Sequence, residues 1–142
     1  MLLGCSSNSS HLDDPNAQVV VTSQYEGSAE KLILPSTTNC SPPFNCASKK
    51  LVGANCAAAL YNNAKEYMEE GITLELKGMY LAARVQYLMA ECRLKKAQIV
   101  LNEAKLTNYI DFKIATSLGL DKKIKFNIKI CQRKGMILDW KR

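Results

Sequence analysis

The chain has 142 residues, of which 47% are hydrophobic and 23% are charged, and this composition is typical of one globular domain with tails. Its net charge is +6, and the residues after Asp111 hold nine Lys or Arg against two Asp or Glu, so the basic surface belongs to the C-terminal end. No stretch of the given sequence approaches the roughly 18 consecutive apolar residues that a membrane-spanning helix needs. One histidine and six cysteines without C-x-x-C spacing argue against a zinc site.

The first element in chain order is Leu2-Leu3-Gly4-Cys5, followed by a polar stretch that is rich in serine and asparagine. The four residues resemble the lipobox of bacterial lipoproteins. That resemblance implies that Cys5 is acylated, that the protein is anchored in the outer membrane facing the periplasm, and that residues 6–16 form a polar tether. A secretory signal peptide needs a positively charged stretch and an apolar stretch before its cleavage site, and the residues before Cys5 are too few to supply both. We therefore expect the given sequence to start inside the signal peptide. The alternative is that Met1 is the true start and Cys5 an ordinary exposed thiol.

The next segment, up to residue 46, is predicted to be extended or disordered. Residues 18–25 are rich in β-branched side chains, which is typical either of a short strand or of an extended segment lying on a helical body. Residues 35–46 have the composition of a loop. Cys40 and Cys46 flank a Pro-Pro turn in this loop, and in an exported domain this spacing predicts a disulfide between them.

The second part, residues 47–142, is predicted to be a mainly α domain. Glycine and proline become rare after Ala47, and apolar residues recur at helical spacing, with Ser48 in a position to cap the first helix. Residues 107–118 predict a further helix that ends at Gly119, and Asp121 can cap the element after it. Residues 122–131 alternate like a strand but also carry a helical stripe, and we predict a helix there because the context is helical.

Residues 64–90 carry a pattern of large and small side chains at fixed offsets. The pattern is similar to one tetratricopeptide repeat, a 34-residue helix–turn–helix unit, and it implies an antiparallel hairpin with flanking helices. The small residues would let the two helices approach, the second glycine would make the turn, and the large residues would fill the interior. The eight repeat positions are Tyr67, Gly71, Leu74, Gly78, Tyr80, Ala83, Tyr87 and Ala90.

The resemblance is incomplete in two places. Glu70 stands where the repeat usually has leucine, and Lys95 stands where proline usually ends the second helix. Because the helical pattern continues beyond Lys95, the second helix is predicted to be unusually long, from about Met79 to about Lys105. One clear copy of a repeat cannot bury both of its faces, so flanking helices or a partner are expected to cover them.

No phosphate-binding loop, metalloprotease motif or nucleophile elbow occurs, and the single histidine, His11, lies in the tether. We therefore predict a protein that is not an enzyme and needs no cofactor or metal. The leading hypothesis is a small envelope lipoprotein that acts as a protein-protein interaction or assembly module, as an accessory or structural subunit of a secretion or pilus machine. An envelope protein is the expected partner, and an oligomer is also consistent with the pattern. The predicted binding residues are Glu75, Arg84 and Glu91 on the hairpin, with Lys122, Lys125, Lys129 and Arg133 at the basic end.

The alternative hypothesis is a cytoplasmic helical protein whose basic C-terminal end binds nucleic acid or anionic lipid. The charge asymmetry supports it. Nucleic acid is the less favoured ligand, because lysine outnumbers arginine in that region and no helix-turn-helix recognition pattern is present. Trp140, near the end of the chain, has the amphipathic character of an interfacial residue under either hypothesis.

Overall fold

The computed structural model describes residues 18–20 and 44–141. The described residues form one 3-10 helix and four α-helices and contain no strand, so the predicted mainly α fold is confirmed and residues 122–131 are helical. Cys5, the polar tether and Cys40 lie outside the described residues. The 3-10 helix spans Ala47–Lys49, and the α-helices are α1 (Gly53–Leu76), α2 (Tyr80–Thr107), α3 (Tyr109–Ser117) and α4 (Leu120–Lys141).

The first two helices form a long antiparallel hairpin with a seam of small residues. Small side chains recur at intervals of seven residues, which is two helical turns, and therefore lie on one face of each helix. At Gly71 an added Cβ atom would lie 3.0 Å from Cζ of the Tyr87 ring, so the helices approach closely there. The buried seam consists of Ala57, Ala64 and Gly71 on α1 with Ala83, Ala90, Ala97 and Ala104 on α2.

The turn of the hairpin lies at Gly78, as the sequence predicts. Gly78 has φ +78°, a left-handed conformation that favours glycine, and the Met79 N–H donates to the Leu74 carbonyl at 2.9 Å to close the end of α1. The helices extend well beyond the 34-residue unit, since α1 begins 11 residues before Ala64 and α2 continues to Thr107. The long second helix is confirmed, and the hairpin is larger than one repeat.

The predicted cap at Ser48 is wrong for the long helix. Asn45 Oδ1 accepts hydrogen bonds from the N–H groups of Ala47 and Ser48, so it caps only the 3-10 helix. The Ser48 hydroxyl donates back to the Asn45 carbonyl and does not reach α1. The long helix begins later because Lys50, with φ 57°, reverses the chain before Gly53.

The predicted disulfide between Cys40 and Cys46 is also wrong, because Cys46 is bonded to Cys56, with their Cα atoms 5.6 Å apart. The reversal at Lys50 folds the 3-10 helix back over the first turn of α1, where Cys56 lies. This pairing follows from a left-handed residue that the loop composition does not reveal. The disulfide itself confirms the expectation that this protein carries oxidised cysteines.

The last two helices form a second, shorter hairpin. Asn108 caps α3, where its side chain accepts from the Asp111 N–H at 3.3 Å, and Gly119, with φ +79°, separates α3 from α4 as predicted. Asp121 lies inside the first turn of α4, after Leu120, so it is not the cap that the sequence suggests. Its negative charge still favours the positive end of the helix dipole there.

Helix α4 lies antiparallel along α2. Contacts between the two helices pair Arg84 with Asp139 near one end and Glu91 with Gln132 further along. Leu120, Ile124 and Leu138 of α4 are fully buried in the same core as the hairpin. The fold is therefore a hairpin with one further long helix across its second member and the short α3 closing the end.

Residues 18–20 contact the helical body as an extended segment. Val19 is 4% exposed, and its N–H donates to Asn62 Oδ1 at 2.9 Å while its carbonyl accepts from Asn62 Nδ2 at 2.6 Å. Of the two predicted alternatives, a short strand or an extended segment lying on the helical body, these three residues form the extended segment. Residues 21–25 of the predicted element lie outside the described part of the chain.

Candidate interaction surfaces

A buried polar cluster fixes α4 against α1. Lys65 Nζ donates to Asn127 Oδ1 at 3.3 Å, and Asn127 Nδ2 donates to the Tyr61 hydroxyl at 3.3 Å and to the Lys123 carbonyl at 2.8 Å. Lys65, Asn127 and Tyr61 are fully buried, so each contact is made without competition from water. A misplaced α4 would break these buried hydrogen bonds, and the cluster therefore favours one docking position.

The three predicted binding residues on the hairpin face α4 rather than solvent. Arg84 pairs with Asp139 at 2.9 Å, and Glu75 pairs with Lys134 at 3.0 Å. Glu91 accepts from Gln132 at 3.2 Å and also pairs with Lys95 of its own helix. The hairpin face that we expected to be open is thus covered by the protein's own last helix, and a partner-binding role for these three residues stays a prediction.

Burial at this interface changes two acid-base equilibria. Burial raises the pKa of the Cys131 thiol to about 12, and the nearby Glu91 carboxylate adds to the shift while Lys65 opposes it. Burial also raises the pKa of the Tyr87 hydroxyl above its usual value, and the hydrogen bond from that hydroxyl to Glu75 adds to the effect. Both groups are neutral at physiological pH, and Cys131 is a buried structural thiol.

A small cavity lies where α2, α3 and α4 meet. Its polar lining includes Gln98, Asn102, Asp121 and Lys125. The Asp121 Oδ1 atom is buried and accepts no hydrogen bond from the described residues. The cavity has a volume of about 170 Å³, which is space for water or a small polar molecule.

The predicted basic residues are exposed, and they lie on the outward side of α4. Lys122, Lys125, Lys129 and Arg133 follow one another at intervals of three or four residues, so they share that side of the helix. The same side continues with the apolar residues Met136, Ile137 and Trp140, of which Trp140 is 88% exposed. We call this surface the α4 outer face, and it also includes Phe126.

A second exposed surface lies on α2. Leu81, Val85 and Leu88 lie on one stripe and are 60%, 48% and 47% exposed. Leu76 and Met79 extend this exposure into the turn. We call these five residues the hairpin-tip patch. Several apolar side chains clustered in this way are typical of a binding surface, whereas single exposed ones carry no such meaning.

The remaining predicted residues have structural positions. Tyr67, Leu74 and Tyr80 pack against the core, and the Arg93 guanidinium lies over the Tyr67 ring at 5.3 Å. Cys92, on the α2 stripe after Leu88, is disulfide-bonded as well. Within residues 18–20 and 44–141, no group of His, Cys, Asp or Glu is arranged to hold a metal ion, and no helix has the length and hydropathy to span a bilayer.

Sequence reasoning missed the hairpin-tip patch and the contacts that hold the segment at Val19, whereas it predicted the basic residues of the α4 outer face. The exposed α2 stripe has a signal in the sequence, since Leu81, Val85 and Leu88 repeat at intervals of four and three residues. The contact between Asn62 and Val19 has no such signal in the sequence, because a side-chain amide that bonds to a distant main chain leaves no periodic pattern. Comparison of the chain with protein-family models, curated proteins and solved structures finds no match.

Proposed function

We propose that this protein is an envelope lipoprotein that acts as a protein-protein interaction module, and that it binds its partner through the hairpin-tip patch. The observation that supports this proposal is the cluster of exposed apolar side chains at one end of a rigid helical hairpin. Leaving those side chains in water is unfavourable, and a partner that covers them would recover the hydrophobic free energy.

The shape of the patch suggests the chemistry of the partner. Leu81, Val85 and Leu88 form a straight stripe along α2, which fits the apolar face of an amphipathic helix. Two charged side chains of the hairpin, Glu75 and Arg84, are already paired with Lys134 and Asp139 of α4. The partner that we propose is an envelope protein that presents the apolar face of an amphipathic helix.

The envelope location rests on the lipobox resemblance at Cys5 and is consistent with the Cys46–Cys56 disulfide. Disulfides persist in the periplasm and on cell surfaces, whereas reducing systems keep most cytosolic thiols free. The proposed attachment is an acyl group on Cys5, with the helical domain held at the outer membrane on the periplasmic side.

The test combines the intact mass of the native protein with site-specific crosslinking in cells of the native host. The expected mass, measured on the membrane fraction, corresponds to a chain that begins at an acylated Cys5. A photoreactive residue in place of Leu88 is expected to give one discrete adduct with an envelope protein. The matched control is the same residue in place of Lys105, which is exposed on the same helix outside the patch.

The two readouts are interpreted separately. An unmodified chain with a free thiol at Cys5 would overturn the lipoprotein assignment. Equal crosslinking from Leu88 and Lys105, or none from either, would overturn the proposed binding surface.

A further inference from the structure

We propose that the α4 outer face binds the surface of an anionic lipid bilayer. Six exposed side chains lie on one stripe of the helix at intervals of three or four residues, over 18 residue-to-residue steps or about 27 Å of helix length. A straight stripe of this length can contact a flat surface along its whole extent. The six are Lys122, Phe126, Lys129, Arg133, Met136 and Trp140.

The charge of this face is positive and uncompensated. Lys122, Lys125, Lys129 and Arg133 form no ion pair with any residue in the described part of the chain. The exposed acid of α4, Asp139, is paired with Arg84 at 2.9 Å and does not neutralise them. Such a face is attracted to anionic headgroups, which draw each nearby cation towards the bilayer.

The apolar side chains of the face are placed where a bilayer would bury them. Met136 and Trp140 are 67% and 88% exposed at one end of the stripe, and Phe126 is 49% exposed among the lysines. Tryptophan is enriched at membrane interfaces because its ring is apolar while its indole N–H stays hydrated. Cations and apolar side chains on one exposed face supply the electrostatic and the hydrophobic attraction by which a surface binds an anionic bilayer.

A bilayer explains this face better than nucleic acid does. Phosphate contacts would use the cations but would leave Met136, Ile137 and Trp140 in water, because a duplex backbone offers no apolar surface to cover them. Three of the four uncompensated cations are lysines, which carry a compact charge and lack the planar guanidinium fork that suits arginine to nucleic-acid recognition. The anionic bilayer is the ligand that uses both halves of the face.

The inference does not depend on acylation of Cys5 or on the hairpin-tip patch. The α4 outer face is part of the folded domain, so unacylated protein suffices for the test. A lipid anchor with a basic surface as second signal would bind membranes more stably than either one does separately. Failure of the lipoprotein assignment would leave this inference intact, and the reverse also holds.

The experiment uses the fluorescence of Trp140, which is the single tryptophan of the chain. Unacylated full-length protein is titrated with vesicles of 30% phosphatidylglycerol in phosphatidylcholine and with vesicles of phosphatidylcholine only. We expect a blue shift and sedimentation with the anionic vesicles. Partitioning is expected to weaken at least roughly tenfold on neutral vesicles and in high salt.

Two double variants of equal net charge test the location of the binding surface. Lys129→Glu with Arg133→Glu is expected to weaken partitioning at least roughly tenfold. Lys50→Glu with Lys77→Glu places the same charge change on exposed residues outside α4, and we expect less than a threefold loss. Circular dichroism verifies that both variants remain folded.

Three outcomes would overturn the inference. They are equal loss in the two double variants, an unchanged Trp140 spectrum with bound vesicles, and tighter binding to a DNA duplex that displaces the vesicles. The last outcome would identify the face as a nucleic-acid surface. Retention of vesicle binding in the Lys50/Lys77 variant, with loss in the Lys129/Arg133 variant, supports the bilayer.

Discussion

Two long interfaces of this protein differ in their side chains, since one has a seam of alanine and glycine and the other has an ion pair across it. Between α1 and α2 the contact is an apolar seam of alanine and glycine, in which Ala64, Ala90 and Ala97 are fully buried. Between α2 and α4 the contact includes the charged pair Arg84–Asp139 and the hydrogen bond from Gln132 to Glu91. The comparison teaches that the hairpin depends on close shape complementarity along its seam, while charged and hydrogen-bonded pairs add to the apolar core in positioning α4.

The two interfaces differ in how much change of side-chain volume and position they tolerate. A seam of small residues has no free volume, so any added atom must displace a helix. Charged contacts at a partly exposed interface can shift by an ångström and remain paired through water. We therefore expect the first interface to be sensitive to volume, and the second to pH and salt.

The largest expected effect comes from adding volume to the seam. Ala90→Leu places three extra carbons between α1 and α2, and we expect it to lower the free energy of unfolding by about 3 kcal/mol. The control is Ala82→Leu on the same helix, which is half-buried and should cost less than about 1 kcal/mol. Urea unfolding followed by circular dichroism measures both, and equal losses would contradict a close-packed seam.

The second effect concerns pH at the α4 interface. Because the pKa of the Cys131 thiol is raised from 9.0 to about 12 in the folded protein, unfolding above pH 9 releases a proton and the fold loses stability as pH rises. Between pH 9 and 10.5 the loss has an upper limit of about 2 kcal/mol. Tyr87 contributes a loss of the same sign above its usual pKa of 10.0.

The measurement is the free energy of unfolding in urea at pH 7, 9 and 10.5. The native protein is expected to lose more stability over this range than Cys131→Ala, which lacks the titrating thiol. Parallel pH profiles for the two proteins would show that Cys131 does not couple folding to pH.

The third effect compares two buried glycines inside helices. At Gly71 an added Cβ atom would meet three atoms of the Tyr87 ring at 3.0–3.2 Å, whereas at Gly135 it would meet the end of the flexible Arg84 side chain. Both substitutions to alanine gain about 1 kcal/mol of helix propensity. We expect Gly71→Ala to be destabilising by about 1 kcal/mol net and Gly135→Ala to be neutral or slightly stabilising.

Thermal and urea unfolding of these two variants test the contrast directly. A stabilised Gly71→Ala variant would show that the Tyr87 ring moves aside as easily as the arginine does, and the distinction between the two interfaces would then fail.

The smallest expected effect is the coupling free energy between Arg84 and Asp139 at the α4 interface. Since both side chains are partly exposed, a double-mutant cycle with Arg84→Ala and Asp139→Ala should give a coupling of about 0.2–1 kcal/mol. The coupling should shrink in 1 M salt, where the Debye length is about 3 Å. A coupling of that size that persists in 1 M salt would indicate packing rather than charge.

The sequence predicts the local elements of this fold well. Gly78 and Gly119 mark turns because a positive φ favours glycine, and the helical pattern after Lys95 correctly predicts a long α2. These signals depend on residues close together in the chain. The strand-like alternation of residues 122–131 was outweighed by the buried stripe that includes Ile124 and Cys131.

Long-range contacts were beyond sequence reasoning. Nothing in the pattern around Arg84 indicates that Asp139, 55 residues later, is its partner, so the hairpin face that α4 covers was expected to be open. The Cys46–Cys56 disulfide depends on the chain reversal at Lys50, which composition does not encode. Pairing across the chain is a property of tertiary packing rather than of local periodicity.

The hydrogen bonds between Asn62 and Val19 limit the distance between the helical body and Cys5. They hold the main chain at residue 19, so only 14 residue-to-residue steps connect the helical body to Cys5, and these span at most about 50 Å when fully extended. If Cys5 is embedded in a membrane, the domain works within that radius of the lipid surface. Lengthening the chain between Cys5 and Val19 would then enlarge the volume that the domain can sample, without altering either of the two proposed binding surfaces.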